Sequence, residues 1–469
     1  MAEALVAGSP RWWLGRLERE LQMRQAEMDL MDRYYNGDHP LPFVTKAHSA
    51  KMRDEFKGLL EDSRSNFMAL VVDAVEERLR VDGFRQSAEK DAKSDEDSWR
   101  IWQQNQMDAE SQIGFVEALT KGVSYLSVWH GDEYPIIAVE DPTQTIVAYE
   151  PGSNYRRRAA ALKVWIDEWT GRRRANVYLP GGIYKFSHPH TPVAAEALHL
   201  PAAAQEEPEW VEMEDEFVAN ELGVVPIVPL RNRPRLLREG VSEIAGAVYE
   251  TQDRINGQLF LRCLAGYFGA HRQRWAVGLT IHEDERTGKP VEPFDAAVDK
   301  LWQADDKEVK FGEFSQTDLA GYIKAIEQDV LHIAVTTRTP RHYLIEQGQS
   351  PSGDGIRSAE SGLIRKVVRK SRTFGEGLEE AMRLAHRFAG ESELPPDSEV
   401  VWADPEVRSE AEITDAVVKQ FEAKLIPWEA ALEKLGYTQT QIRRFEGMRE
   451  KEQAEAPEPP PVEPPVPAA

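Results

Sequence analysis

Cysteine is almost absent. Cys263 stands alone in 469 residues. One thiol cannot form a disulfide framework within a chain, and it argues against a cysteine-based zinc site. A reducing cytoplasm is the natural folding compartment for such a chain. Long apolar runs are missing as well. A spanning helix needs about 18 or more nearly uninterrupted apolar residues. The best candidate, GQLFLRCLAGYFGA at 257–270, is shorter and contains Arg262. The opening MAEALVAGSPRWW has no basic n-region and only a short apolar stretch, so no signal peptide and a soluble chain are expected. Positive charge is in deficit too. Lys and Arg number 57 against 80 Asp and Glu, a net charge of −23. Wrapping DNA by phosphate neutralisation needs clustered Lys and Arg, so that mode is disfavoured. Surrounding DNA, or letting it pass without gripping it, remains open.

Catalytic signatures are also missing. The nucleotide-binding pattern G-x-x-x-x-G-K-[ST] does not occur. Its nearest match, HEDERTGKP at 282–290, lacks the first glycine, ends in Pro290 and reads as a hairpin turn. GQSPSG at 348–353 has one residue too many to be a G-x-S-x-G nucleophile elbow. The 11 histidines are scattered, and the one close pair, His188 and His190, has no cysteine nearby. The acidic runs Glu283-Asp284-Glu285 and Asp305-Asp306 have the chemistry to hold a divalent cation, but such runs are more often solvated surface. No enzyme activity and no cofactor or metal are expected. Of the 12 tryptophans, Trp12, Trp13, Trp99, Trp102, Trp129, Trp165 and Trp275 sit at amphipathic or strand positions, where core or interface packing explains them better than base stacking.

What is present is a mixed α+β pattern, predominantly helical, with hydrophobic residues at 41% and room for about three domains. Ser9 and Pro10 open a helix over 9–35, stopped by Asn36-Gly37 and the prolines at 40 and 42. Further helices are expected at 65–79, 96–106 and 109–121, the last capped by Gly122. Short β-rich runs then predict one antiparallel sheet across 123–187, with 210–217 as an edge strand and 223–234 extended. Ser242 is expected to open a helix to about 269, roughly 40 Å long at about 1.5 Å per residue. Leu259, Phe260, Leu261, Leu264, Tyr267 and Phe268 wrap more than one of its faces, more than one chain can bury. A small α/β insert follows, with strands at 274–279 and 308–314 around a helix at 294–302, and then a second helix from Asp318 to about Val335. A very long helix is expected over 356–389, then helices near 408–423, 427–435 and 438–453. The tail APEPPPVEPPVPAA at 456–469 is Pro-rich and acidic and is expected to stay outside any core.

The stretch LIEQGQSPSGDGIRSAESGLIRKVV at 344–368 places a Gly/Ser loop before a basic helix. Arg357, Arg365, Lys366, Arg369, Lys370 and Arg372 form a local positive cluster in an acidic chain. Ion pairing with Glu360, Glu376 or a neighbouring subunit and contact with nucleic acid are equally open readings.

The order of parts resembles a known family. YYNGDHPLPF, NFMALVVDAVEERLRVDGF, a β-rich middle, VVPIVPLRNRPRL, a helix–insert–helix unit, IAVTTRTPRHYLI, the Gly/Ser loop, a long helix and VVWADPEVRSEAEITDAVVKQFEAKLIPWEAALEKLGYT follow one another as in portal proteins of tailed bacteriophages with long non-contractile tails. The resemblance covers about 9–453. It implies an elongated protomer with wing, stem, clip and crown that closes into a cyclic ring, usually dodecameric. By that likeness the wing is 1–235, the stem helices are 236–270 and 317–337, and the clip is 271–316. The tunnel loop and long wing helix are 338–395, a crown-like set of helices is 396–455, and 456–469 is a free tail. Gly348, Gln349, Ser350, Ser352, Gly353, Asp354, Gly355 and Arg357 would line the DNA channel. Arg365, Lys366, Arg369 and Lys370 would make transient contacts to DNA or to a neighbouring subunit. Asp284, Glu285, Asp305 and Asp306 would form the clip surface on which a packaging motor docks. The implied function is packaging, retention and ejection of the genome at a capsid vertex, within a virion assembled in the host bacterial cytoplasm. The implied partners are double-stranded DNA, terminase, head-completion or adaptor proteins, and scaffold and major capsid proteins, with no membrane. Two rival functions stay open on the residues alone: a divalent-metal-dependent hydrolase or nucleotidyl enzyme, and a non-viral elongated helical adaptor.

Overall fold

In the computed structural model the described residues are 6–38, 58, 60–61, 63–85, 95–188, 210–270, 274–278, 308–313, 318–345, 353–390, 394–406, 410–437 and 439–455. The chain divides into two compact units. A sheet unit comprises Met1–Asp29, Asp73–Ser242 and Leu363–Ala469, and a helix-pair unit comprises Leu30–Val72 and Glu243–Gly362. The fold class is α+β, predominantly helical, as the composition implied.

Helix α1 (Pro10–Asn36) starts where Ser9 Oγ accepts from the Trp12 N–H at 3.3 Å. It ends where Gly37 turns left-handed, at φ +78°. Leu14, Leu17 and Leu21 lie on its sheet-facing side, one helical turn apart, and enter a core with Ile146, Leu162, Val177 and Phe186. Those partners belong to a six-stranded antiparallel sheet. Its path is β4 (Thr145–Tyr149), β5 (Arg158–Asp167), β6 (Arg172–Leu179), β7 (Gly182–His188) and β8 (Val211–Glu212), with β9 (Val218–Ala219) also on β7.

The single sheet expected over 123–187 is in fact two. Strands β2 (Val123–Trp129) and β3 (Ile136–Glu140) pair instead with β10 (Ile227–Arg231), in the order β10-β2-β3. Alternation of apolar residues marks a strand but not its partner. The edge strand expected near 210–217 is the short β8, and the extended 223–234 contains β10. Strand β1 (Val81–Arg85) pairs with β13 (Glu399–Trp402), a connection across more than 300 residues that no local pattern announces.

Helices α2 (Met68–Glu76), α3 (Glu96–Gln104) and α4 (Met107–Lys121) fall where helical periodicity placed them, with α2 shorter at both ends. Asn66 explains the later start of α2, because its Oδ1 accepts from the Met68 N–H at 2.9 Å and so caps the first turn. Gly122 ends α4 at φ +95°. A Cβ there would stand 3.1 Å from the Val241 nitrogen, so the position needs glycine for its dihedral and for close backbone approach.

In the helix-pair unit, α5 (Ala247–Ala270) begins later than Ser242 because Gly246 is left-handed, at φ +67°. It packs along α6 (Ala320–Thr337). The hairpin β11 (Arg274–Val277) with β12 (Lys310–Glu313) lies between them in sequence. The helix expected at 294–302 lies outside the described residues, as does the tail 456–469. After the short α7 (Arg341–Leu344), α8 (Gly353–Ala389) is the long helix, about 55 Å by its residue count. The C-terminal helices are α9 (Glu410–Glu422), α10 (Trp428–Lys434) and α11 (Gln439–Glu455).

Candidate functional site

Two described regions carry the residues singled out from the sequence. In the helix-pair unit, polar side chains fix α5 against its surroundings. Asp329 on α6 is buried and accepts from Arg254 Nη2 at 3.1 Å and from Gln258 Nε2 at 2.9 Å, one turn apart on α5. Arg254 supplies the charge that a buried carboxylate needs. The fully buried amides of Gln252 and Asn256 hold segment 65–67. The Phe67 N–H donates to Gln252 Oε1 at 2.9 Å and the Ser65 N–H to Asn256 Oδ1 at 3.0 Å. Tyr34 donates to Asp253 Oδ1 at 2.8 Å. Burial pushes the Asp253 carboxyl up, with Glu250 adding to the shift and the Tyr34 hydrogen bond opposing it.

The second half of α5 is different. Leu261, Tyr267 and Phe268 are 45%, 40% and 43% exposed. Leu259, Phe260 and Leu264 are only half-buried. Ile323 and Val335 on α6 are exposed as well. On the hairpin, Trp275, Val277 and Phe311 are exposed, and the Trp275 ring lies against Gly312, where any side chain would collide with it. Cys263 is a free, half-buried thiol.

Gly348, Gln349, Ser350 and Ser352 lie outside the described residues. The flanks of their segment are tied together, since the Tyr343 hydroxyl on α7 donates to Glu360 Oε1 on α8 at 2.8 Å. The long helix starts at Gly353, three residues before the expected 356. Gly353, Asp354 and Gly355 therefore stand on its first turn and not in the loop, and Arg357 follows within the helix. Two glycines disfavour a helix interior but are tolerated in a first turn, which sequence reading places poorly. Asp284, Glu285, Asp305 and Asp306 also lie outside the described residues.

The basic cluster splits by helical phase. Lys366 and Lys370, one turn apart, are buried in the sheet unit, whereas Arg365, Arg369 and Arg372 are exposed. The Lys370 ammonium donates to Asn232 Oδ1. Asn232 is itself fully buried, and its side-chain amide donates to the Val241 carbonyl at 2.7 Å. Its N–H donates to the Gly122 carbonyl at 2.9 Å. Lys370 thus ties the loop 232–241 to the long helix, a structural task hidden inside a run of basic residues. Farther along α8, Phe374 stacks on Phe115 at 5.2 Å, and Gly377 lets the helix approach β10.

The sequence reading also missed a buried Asp–Ser–His set. Asp95 caps α3 by accepting from the Ser98 N–H at 3.1 Å and from the Ser98 hydroxyl, and Ser98 Oγ lies 2.9 Å from His386 Nε2. With its proton committed to Asp95, the hydroxyl accepts from His386, so Nε2 carries the hydrogen. Ser98 is fully buried and its proton points at the carboxylate, an arrangement that locks α3 to α8. Among the described residues no group of His, Cys, Asp and Glu has the arrangement to hold a metal ion, and no helix is long and apolar enough to cross a membrane.

The polar side chains described above fix elements against one another, and large apolar side chains on α5, α6 and the hairpin face outward. The chain belongs to the family described as "Phage portal protein, SPP1 Gp6-like", whose model matches residues 14–458. It is 33% identical over 407 residues to the portal proteins of Mycobacterium phages D29 and L5, covering 82% of this chain and 78% of each relative. Its function is that of a phage portal, a structural component of the virion capsid that works as an oligomer.

Proposed function

We propose that each chain is one wedge of a closed ring, with the family's usual twelve subunits, around a channel for double-stranded DNA. The observation that carries this is the exposed apolar side of α5 and α6 in a chain of the portal family. Leu261, Tyr267 and Phe268 would be covered by a neighbour's stem helix, in the heterologous contact that a cyclic ring repeats. In this reading 1–235 is the wing, 236–270 and 317–337 the stem, 271–316 the clip, 338–395 the tunnel loop and long wing helix, and 396–455 the crown. Residues 348–352, with the first turn of α8 at 353–355 and Arg357, form a collar near moving DNA, and a net charge of −23 keeps phosphates from sticking to the channel wall.

Energy for packaging comes from a terminase docked on the clip through Asp284, Glu285, Asp305 and Asp306. Head-completion proteins follow it there, and scaffold and major capsid proteins meet the wing. The ring assembles in the host cytoplasm before it enters the virion. Negative-stain images of purified protein test the ring, and small solid particles at high concentration would overturn it. Deletion of 349–354 is expected to leave rings intact and lower packaged DNA. Charge reversal at Asp305 and Asp306 is expected to weaken motor binding.

A further inference from the structure

The sheet unit holds a pocket apart from the residues discussed above as channel, stem or clip. It has a volume of about 460 Å³ and lies where α8 passes β10 and the turn after β4. Four arginines line it, Arg156, Arg231, Arg372 and Arg383, in a chain whose net charge is −23. Two carboxylates, Glu376 and Glu380, share the lining. Glu380 is already held at 2.6 Å by Arg158, whose side chain is buried. With Glu380 so engaged and Glu379 near Arg383, the four lining arginines still outnumber the carboxylates around them.

Arg231 is set in place before any ligand arrives. Its guanidinium stands over the Tyr149 ring at 5.3 Å, and Nη2 donates to the Tyr155 carbonyl at 2.7 Å. Its Nε is buried and has no hydrogen-bond partner. The carbonyl that anchors it belongs to a residue in an unfavourable conformation. Asn154 and Tyr155 are both left-handed, at φ +51° and +61°. Asparagine tolerates that region, but a bulky aromatic adopts it only when its surroundings impose it. Here the strained turn aims a carbonyl at Arg231 and so fixes the fork. An anchored arginine loses little freedom on binding an oxyanion.

We propose that this pocket is a phosphate-binding site. A carboxylate has two oxygens and suits one arginine fork. A phosphate accepts from several forks at once, and its charge of about −1 to −2 matches the excess of the lining better. The shared chemistry is a phosphate group, from either a free phosphate compound or the backbone of DNA. A carboxylate-bearing protein segment is the competing occupant.

The test is calorimetric titration of the intact protein with pyrophosphate, with a short DNA duplex and with poly-glutamate, at matched low ionic strength. Arg156→Ala combined with Arg372→Ala removes two exposed rim arginines and is expected to weaken pyrophosphate binding about tenfold or more with the melting temperature unchanged. Arg231→Lys keeps the charge, loses the fork, and is expected to weaken it as well. Arg16→Ala with Arg19→Ala, exposed arginines of the same unit outside the pocket, should leave affinity unaltered. Duplex that binds and is displaced by pyrophosphate identifies DNA as the source, and duplex that fails to compete identifies a free phosphate compound. No saturable pyrophosphate binding, equal loss in the control variant, or tighter binding of poly-glutamate would each overturn the proposal.

Discussion

The two halves of helix α5 are alike in length but not in composition, and the more polar of them is the buried one. Near its start, Gln252, Ile255 and Asn256 have no exposed surface. Toward its end, Leu261, Tyr267 and Phe268 are each at least 40% exposed. The buried half contains amides that hold 65–67, and the exposed half contains large apolar side chains. Hydropathy alone orders the two halves the wrong way round. Burial in the first half follows from specific hydrogen bonds that the fold itself completes. The second half has the composition of an interior, which is the physical basis of the ring contact proposed above.

The largest effect should come from breaking close packing in the sheet unit, which depends on no partner. A Cβ at Gly377 would stand 2.8 Å from a Leu230 methyl and 2.9 Å from the Pro229 carbonyl oxygen. Gly377→Leu is expected to cost about 3 kcal/mol or more, because helix and strand must separate to admit it. Urea unfolding of the monomeric chain measures this, and an unchanged midpoint would show that α8 does not lie so close to β10. Asn256→Ala should cost somewhat less, about 2 kcal/mol, since the half-buried Ser65 N–H loses its fully buried acceptor. Amide exchange at Ser65 is the direct readout and should accelerate.

The third change separates the halves of α5. Leu261→Ser with Phe268→Ser is expected to alter the stability of the isolated chain by no more than about 0.5 kcal/mol per residue, as for exposed positions generally. The same pair should prevent ring closure, seen as loss of the large species in analytical ultracentrifugation. A variant that still forms rings would remove these residues from the subunit interface.

How much of this was legible in the sequence follows from the range of the signals involved. The Ser9 start and Gly37 end of α1, the Gly122 cap and most β-rich runs are local patterns, and they were read correctly. Long-range pairing was not legible. Nothing near Val81 names Glu399–Trp402 as its partner, and nothing in 123–187 divides the strands into two sheets. The basic run 365–372 misled in an instructive way. Charge alone presented one patch, whereas helical phase turns Lys366 and Lys370 inward, and only the fold reveals Asn232 as the acceptor waiting for Lys370. Within the proposed channel site, the ends of the loop were visible as breaks in periodicity, but the Tyr343–Glu360 tie across it was not.

The smallest expected effect is also the one with a defined sign. Burial raises the Asp253 carboxyl above its ordinary value, so the folded chain holds that proton more readily than the unfolded one. The contribution of this group to stability is therefore greatest at low pH. It declines as pH rises from the ordinary carboxylate value through the raised one, and is constant above both. Asp253→Asn keeps an oxygen for the Tyr34 hydroxyl but cannot ionise. The stability of the variant relative to the natural chain should rise as pH climbs from the ordinary carboxylate value through the raised one and then level off. Urea midpoints across that range measure the difference. A relative stability that falls instead would mean that the ionised carboxylate is the favoured form in the fold, with the Tyr34 hydrogen bond outweighing desolvation. The buried half of α5 would then owe its order to a charge and not to neutral hydrogen bonding.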